Sequence, residues 1–96
     1  MGRLAPSKIQ EVVRANFAKF GACLDIARKR NPDESGRLNV RFEIGPDGRV
    51  FYAHIQDTTM TDPAAQSCML DEFRALRFPP PVGGVVTVNY PIVFSP

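Results

Sequence analysis

The sequence predicts an α+β fold in two layers, ordered α-β-β-α-β, with two helices packed on one face of a three-stranded antiparallel sheet. Three observations lead there. Two separate stretches carry apolar residues at three- and four-residue steps. Between them lies a stretch where apolar and polar residues alternate strictly and then turn at Pro-Asp-Gly. The chain closes on a long alternating segment with a proline near its end.

In the first stretch, Ile9, Val12, Val13, Phe17, Phe20, Leu24 and Ala27 form one apolar stripe, predicting an amphipathic helix of about five turns. Ser7 is the expected N-cap, and Glu11 favours the early turns. Arg28, Lys29 and Arg30 complement the dipole at the other end, where Asn31-Pro32 stops the helix. Next, Leu38, Val40, Phe42 and Ile44 alternate with Arg37, Asn39, Arg41 and Glu43, so this strand has one buried and one wet face. Pro46-Asp47-Gly48 is a turn, since proline presets φ and glycine supplies a positive one. The return strand is predicted from Arg49 to Asp57. There Val50, Ala53 and Ile55 can share a face only across a bulge.

Asp62 is positioned as an N-cap with Pro63 at the first helical position. Ala65, Cys68, Met69, Leu76 and either Phe73 or Glu72 mark the inner side of this second helix, and Pro79-Pro80-Pro81 ends it. Gly83-Gly84 releases the chain into the last strand. Val86, Val88, Tyr90, Ile92 and Phe94 face one way there, and Val85, Thr87, Asn89, Pro91 and Val93 the other. Inserting the first strand between the other two makes every neighbour antiparallel, a split β-α-β arrangement with a right-handed crossover. Pro91 favours the outermost place for the last strand, because proline in sheets keeps to edges and bulges.

Composition narrows function by exclusion. The 96 residues suit one domain, residues 1–96, with 44% hydrophobic and 23% charged residues. A net charge of +2, with cations scattered among anions, is no nucleic-acid footprint. No apolar run reaches the roughly 18–20 residues of a membrane span, and no signal-peptide apolar region precedes the first helix. Met1-Gly2 does not open a myristoylation motif, because position 6 is proline. His54 is the single histidine and stands in no nucleophile motif. Asp57, Asp62, Asp71 and Glu72 form no paired-carboxylate pattern. The glycines mark turns rather than a phosphate loop. Cys23, Cys68 and His54 leave a zinc site one ligand short. The chain is therefore read as no enzyme, with no catalytic residue, no metal and no cofactor. Arg37, Asn39, Arg41 and Glu43 on the helix-free face are read as solvated sheet.

What remains is the edge. An outermost strand exposes a row of unpaired N–H and C=O groups, which strand addition by a guest segment can use. Pairing is expected along Gly84, Val85, Val86, Thr87, Val88, Asn89 and Tyr90, with Pro91 limiting it beyond. An alternative role for Pro91 is to blunt the edge against aggregation. A domain that self-assembles structurally, through this edge or the helix-free face, is the alternative function.

Three segments carry a resemblance: "GRLNVRFEIGPDGRV", the helix ending "FRALRFPPP" and the closing "VVTVNYPIVF". Together, in this order and spacing, they resemble the C-terminal domain of TonB-type energy transducers. They look most like the branch named for AgmX and PglI, proteins of gliding-motility machinery, over nearly the whole chain from Ile9 to Phe94. Leu76 stands where TonB proteins usually carry a tryptophan, and Arg77, Phe78 and Pro80 fit the residues that follow it. The resemblance implies a periplasmic protein-binding module of an energy-transduction or gliding-motility machine. It would be one domain excised from a longer envelope-spanning protein, anchored in the inner membrane upstream. Its partner would be an outer-membrane or periplasmic protein offering a short extended segment. Two cysteines alone fit one disulfide or two buried thiols. Their helices must pack side by side, and the implied periplasm permits oxidation, so a Cys23–Cys68 bridge is expected, closing a loop of about 45 residues.

Overall fold

The computed structural model describes residues 2–94. It contains helices α1 (Pro6–Ala15), α2 (Phe17–Arg30) and α3 (Pro63–Arg74) and strands β1 (Gly36–Ile44), β2 (Val50–Thr58) and β3 (Val86–Phe94). The sheet runs β2-β1-β3 and both pairings are antiparallel, so the first strand lies in the middle as expected.

The first apolar stripe forms two helices rather than one. Asn16 leaves helical geometry at φ −109° and ψ 10°. Its side chain turns back, Nδ2 donating to the Val12 carbonyl at 2.8 Å. A short amide side chain that competes for local carbonyls is poorly suited to a helix interior, and here it marks a junction. The helix also begins earlier than Ser7 as a cap would require. Pro6 takes the first helical position after Ala5, and no side chain caps that end.

β1 buries Leu38, Val40, Phe42 and Ile44 completely. The return strand keeps Val50 on the same face as Ala53 and Ile55 by one bulge, and a second bulge follows Ile55. Ile44 pairs with Val50 and Glu43 with Tyr52, leaving Phe51 extra; Val40 pairs with Ile55 and Asn39 with Asp57, leaving Gln56 extra. The turn between the strands places Gly48 at φ 86°. A Cβ there would collide with the Phe78 carbonyl, and the Phe78 N–H donates to the Gly48 carbonyl at 2.9 Å.

The α3 start matches the sequence reading. Asp62 Oδ1 accepts from the N–H groups of Ala64 and Ala65 at 2.9 and 3.2 Å. Arg30 of α2 approaches its other oxygen at 3.6 Å. α3 ends at Arg74, short of the proline block, yet Leu76 and Phe78 beyond it still turn into the core.

Phe73, fully buried, is the hub of that core. Its ring lies 4.8 Å from Phe20 of α2 and 5.4 Å from Phe42 of β1, and Phe42 in turn stacks on Phe78 at 5.8 Å. Cys23 and Cys68 are joined in a disulfide, with Cα atoms 5.4 Å apart, which ties α2 to α3. All of this lies on one side of the sheet, so the fold is the two-layer α+β arrangement.

Candidate functional site

The direction of each main-chain group on β3 follows from β1. Arg37 donates its N–H to Thr59 Oγ1 at 2.9 Å and accepts the Thr59 N–H at 3.0 Å, so its main chain points to the β2 side. Alternation then sends residues 37, 39, 41 and 43 toward β2 and residues 38, 40, 42 and 44 toward β3. The latter face Ile92, Tyr90, Val88 and Val86 in an unbroken register. The main-chain groups of Thr87, Asn89, Pro91 and Val93 therefore point away from the sheet. Pro91 lacks an N–H only on that outer side and removes nothing from the ladder with β1.

This flank is accompanied by a groove. A cleft of about 290 Å³ lies between Gln10 and Arg14 of α1, Phe17, Phe20, Gly21 and Leu24 of α2, and the strand from Tyr90 to Phe94. A second, of about 380 Å³, lies between Pro6, Ile9 and Gln10 of α1 and residues Val88 to Pro91. The two share Gln10, Tyr90 and Pro91 and so follow one another along the strand. Phe17 on the wall is 48% exposed, and Val93 on the wet face of the strand 81%. Among the described residues, the guanidinium of Arg14 is the one charged side chain in the combined lining.

The opposite edge is built differently. β2 carries both bulges, which break any long straight pairing. Ala53 pairs with Phe42, whose groups serve β3, so the Ala53 carbonyl points outward; Arg74 Nη2 donates to it at 3.3 Å. At the start of the strand, Arg49 bridges to Arg77. The chain thus occupies or distorts the β2 edge and leaves the β3 edge straight.

The seven residues predicted as the binding edge divide into three groups. Thr87 and Asn89 present their main-chain groups outward. Val86, Val88 and Tyr90 direct theirs to β1, while their side chains line the helix side of the sheet. Gly84 and Val85 precede β3, and the Val85 carbonyl accepts the Gly2 N–H at 2.9 Å. The open stretch is therefore Thr87 to Val93, further along the chain than the predicted Gly84 to Tyr90. The groove wall from α1 and α2 was read in the sequence only as core stripe. No sequence signal marked it, because Phe17 keeps the period of that stripe and its exposure appears only in the structure.

The other singled-out residues take structural places. His54 is half-buried on the helix-free face, opposite Arg41 and with its ring 5.3 Å from Tyr52. Asp57 accepts from Asn39 Nδ2 at 2.6 Å and pairs with Arg37 at 3.7 Å. Asp71 pairs with Arg74 at 3.5 Å. Among the described residues, no helix is long and apolar enough to cross a membrane, and no three His, Cys, Asp or Glu side chains gather as a metal site would require. No family model, curated protein or solved structure matches this chain.

Proposed function

We propose that this domain is a protein-binding module that docks a short extended segment of a partner by strand addition along the outer flank of β3. The observation that carries the reading is the contrast between the two sheet edges. One is doubly bulged and crossed by Arg74 and Arg77. The other is straight over nine residues and lies beside an apolar groove.

A guest strand would exchange hydrogen bonds with Thr87, Asn89 and Val93 and donate to the Pro91 carbonyl. Side chains opposite Val88, Tyr90 and Ile92 would enter the groove against Ile9, Phe17 and Phe20. Those between them would lie on the wet face. Main-chain pairing supplies strength and the groove supplies selectivity for alternate apolar side chains. Ordering an extended segment costs chain entropy, so a single contact is weak, and tethering or several copies would make it useful.

The setting we propose is the one the TonB-like resemblance implies. It is the periplasm, in an energy-transduction or gliding-motility machine whose inner-membrane anchor lies upstream, with an outer-membrane or periplasmic partner. The Cys23–Cys68 disulfide is compatible with an oxidising compartment.

The test is a titration of isotope-labelled domain with a synthetic ten-residue peptide alternating valine and serine. Amide perturbations are expected at Thr87, Asn89 and Val93, with side-chain shifts at Phe17. Perturbations confined to β2 or to the helix-free face would overturn the reading.

A further inference from the structure

The first rungs of the β3 flank are taken by the chain itself. The Gly2 N–H donates to the Val85 carbonyl at 2.9 Å, and Arg3 and Val82 exchange two bonds at 2.7 and 3.0 Å. Val85 continues the alternation that turns Thr87 and Asn89 outward. Gly2 therefore occupies the same row of main-chain groups that a guest strand would use. The fit requires glycine, since a Cβ at this position would collide with the Gly84 carbonyl.

This segment is lightly held. Between Gly2 and Ala5, Leu4 alone packs against the core. α1 follows directly, with Val13 as its one fully buried residue, Ile9 and Val12 half-buried, and no side-chain cap. α1 joins α2 at Asn16, where the backbone is already non-helical. Among the described residues, three hydrogen bonds and a small apolar footprint thus separate an attached from a detached state, and the joint stands ready at the far end.

We infer that residues 2–5 form a strap that closes the start of the docking flank, and that it lifts, with α1 pivoting at Asn16, when a guest strand extends onto Val85. The inference rests on docking at β3 and adds its regulation. With the strap closed, a guest reaches only Thr87 to Val93. With it lifted, the N–H and C=O of Val85 join the pairing and the α1 wall of the groove can move. The strap is then an intramolecular competitor, and guest affinity falls with the fraction of molecules in which it is closed.

Three forms of the full chain test this: wild type, Gly2→Val to exclude the strap, and an Arg3→Cys/Val82→Cys cross-link to fix it, with cysteine pairing verified by peptide mapping. Each is titrated with the valine–serine decapeptide, and amide hydrogen exchange is followed at Arg3 and Val82. Exchange in wild type is expected to be far faster at these two amides than at Phe42. Gly2→Val should bind about fivefold tighter than wild type and the cross-linked form about fivefold weaker. A Val85 perturbation should be absent from the cross-linked form. Equal affinity in all three, with Thr87 and Asn89 still responding, would overturn the strap while leaving docking at β3 in place. No binding in any form would overturn both.

Discussion

Asn39 of β1 stands directly opposite Pro91 of β3, at a rung where β1 turns its hydrogen-bonding groups the other way. The proline is silent toward its own sheet and absent as a donor only toward solvent. Pro91→Val should therefore change stability by less than about 0.5 kcal/mol while completing the outer row of donors. Self-association should rise. In a two-fold pairing of β3 with its copy, every missing donor is missing twice, so Pro91 opposes homotypic pairing more than it opposes a guest. Urea melts and sedimentation at increasing concentration check both halves.

The same alternation makes neighbouring positions unequal. Asn89→Pro removes an outward N–H and should weaken the decapeptide by roughly five- to tenfold, the value of one net hydrogen bond. Val88→Pro removes an N–H that serves Phe42 and should destabilise the fold more than Asn89→Pro does. Thermal melts of the two variants side by side decide whether the assigned outward row is correct.

The bridge between Cys23 and Cys68 closes 45 residues of chain that include the whole β1–β2 hairpin. Its reduction, or paired replacement by alanine, should cost about 2–4 kcal/mol. Denaturant midpoints with and without a reductant measure this. Peptide binding by the fraction still folded gives the separate effect on the groove, because Cys23 lies between the wall residues Phe20 and Leu24.

Asp62→Ala should destabilise the domain by about 1 kcal/mol, since it withdraws the acceptor shared by the Ala64 and Ala65 N–H groups. Asp62→Asn keeps an oxygen in place and should recover most of that loss. Equal loss in both variants would instead assign the effect to the Arg30 contact at 3.6 Å. Chemical denaturation of the pair distinguishes the two.

Where a residue's role is local, the sequence was readable. Val50, Ala53 and Ile55 announced a bulged strand because side-chain alternation has a fixed period, although the number of bulges depends on pairing with β1. Asp62-Pro63 announced a helix start because both act within one turn. The break at Asn16 was hidden because the apolar stripe from Ile9 to Ala27 keeps its period straight through it. The end of α3 was hidden likewise, since Leu76 falls three residues after Phe73 and is buried without being helical. At the candidate site, Pro91 disclosed the edge. It could not disclose which main-chain groups point outward, because that depends on the Arg37–Thr59 contact 22 residues apart in sequence. The strap was invisible for a similar reason: Gly2 to Ala5 has no pattern of its own, and its partners lie about eighty residues away.

The unbroken register from Gly36–Phe94 to Ile44–Val86 also has a mechanical meaning. Tension applied along β3, or along a strand laid beside it, acts parallel to the ladder, so the hydrogen-bonded rungs at Leu38, Val40, Phe42 and Ile44 are loaded in shear together instead of peeling one after another. The bulged junction with β2 lacks that continuity. Of the two borders of the sheet, the one with β3 would pass such a load to the central strand without a break in the pairing.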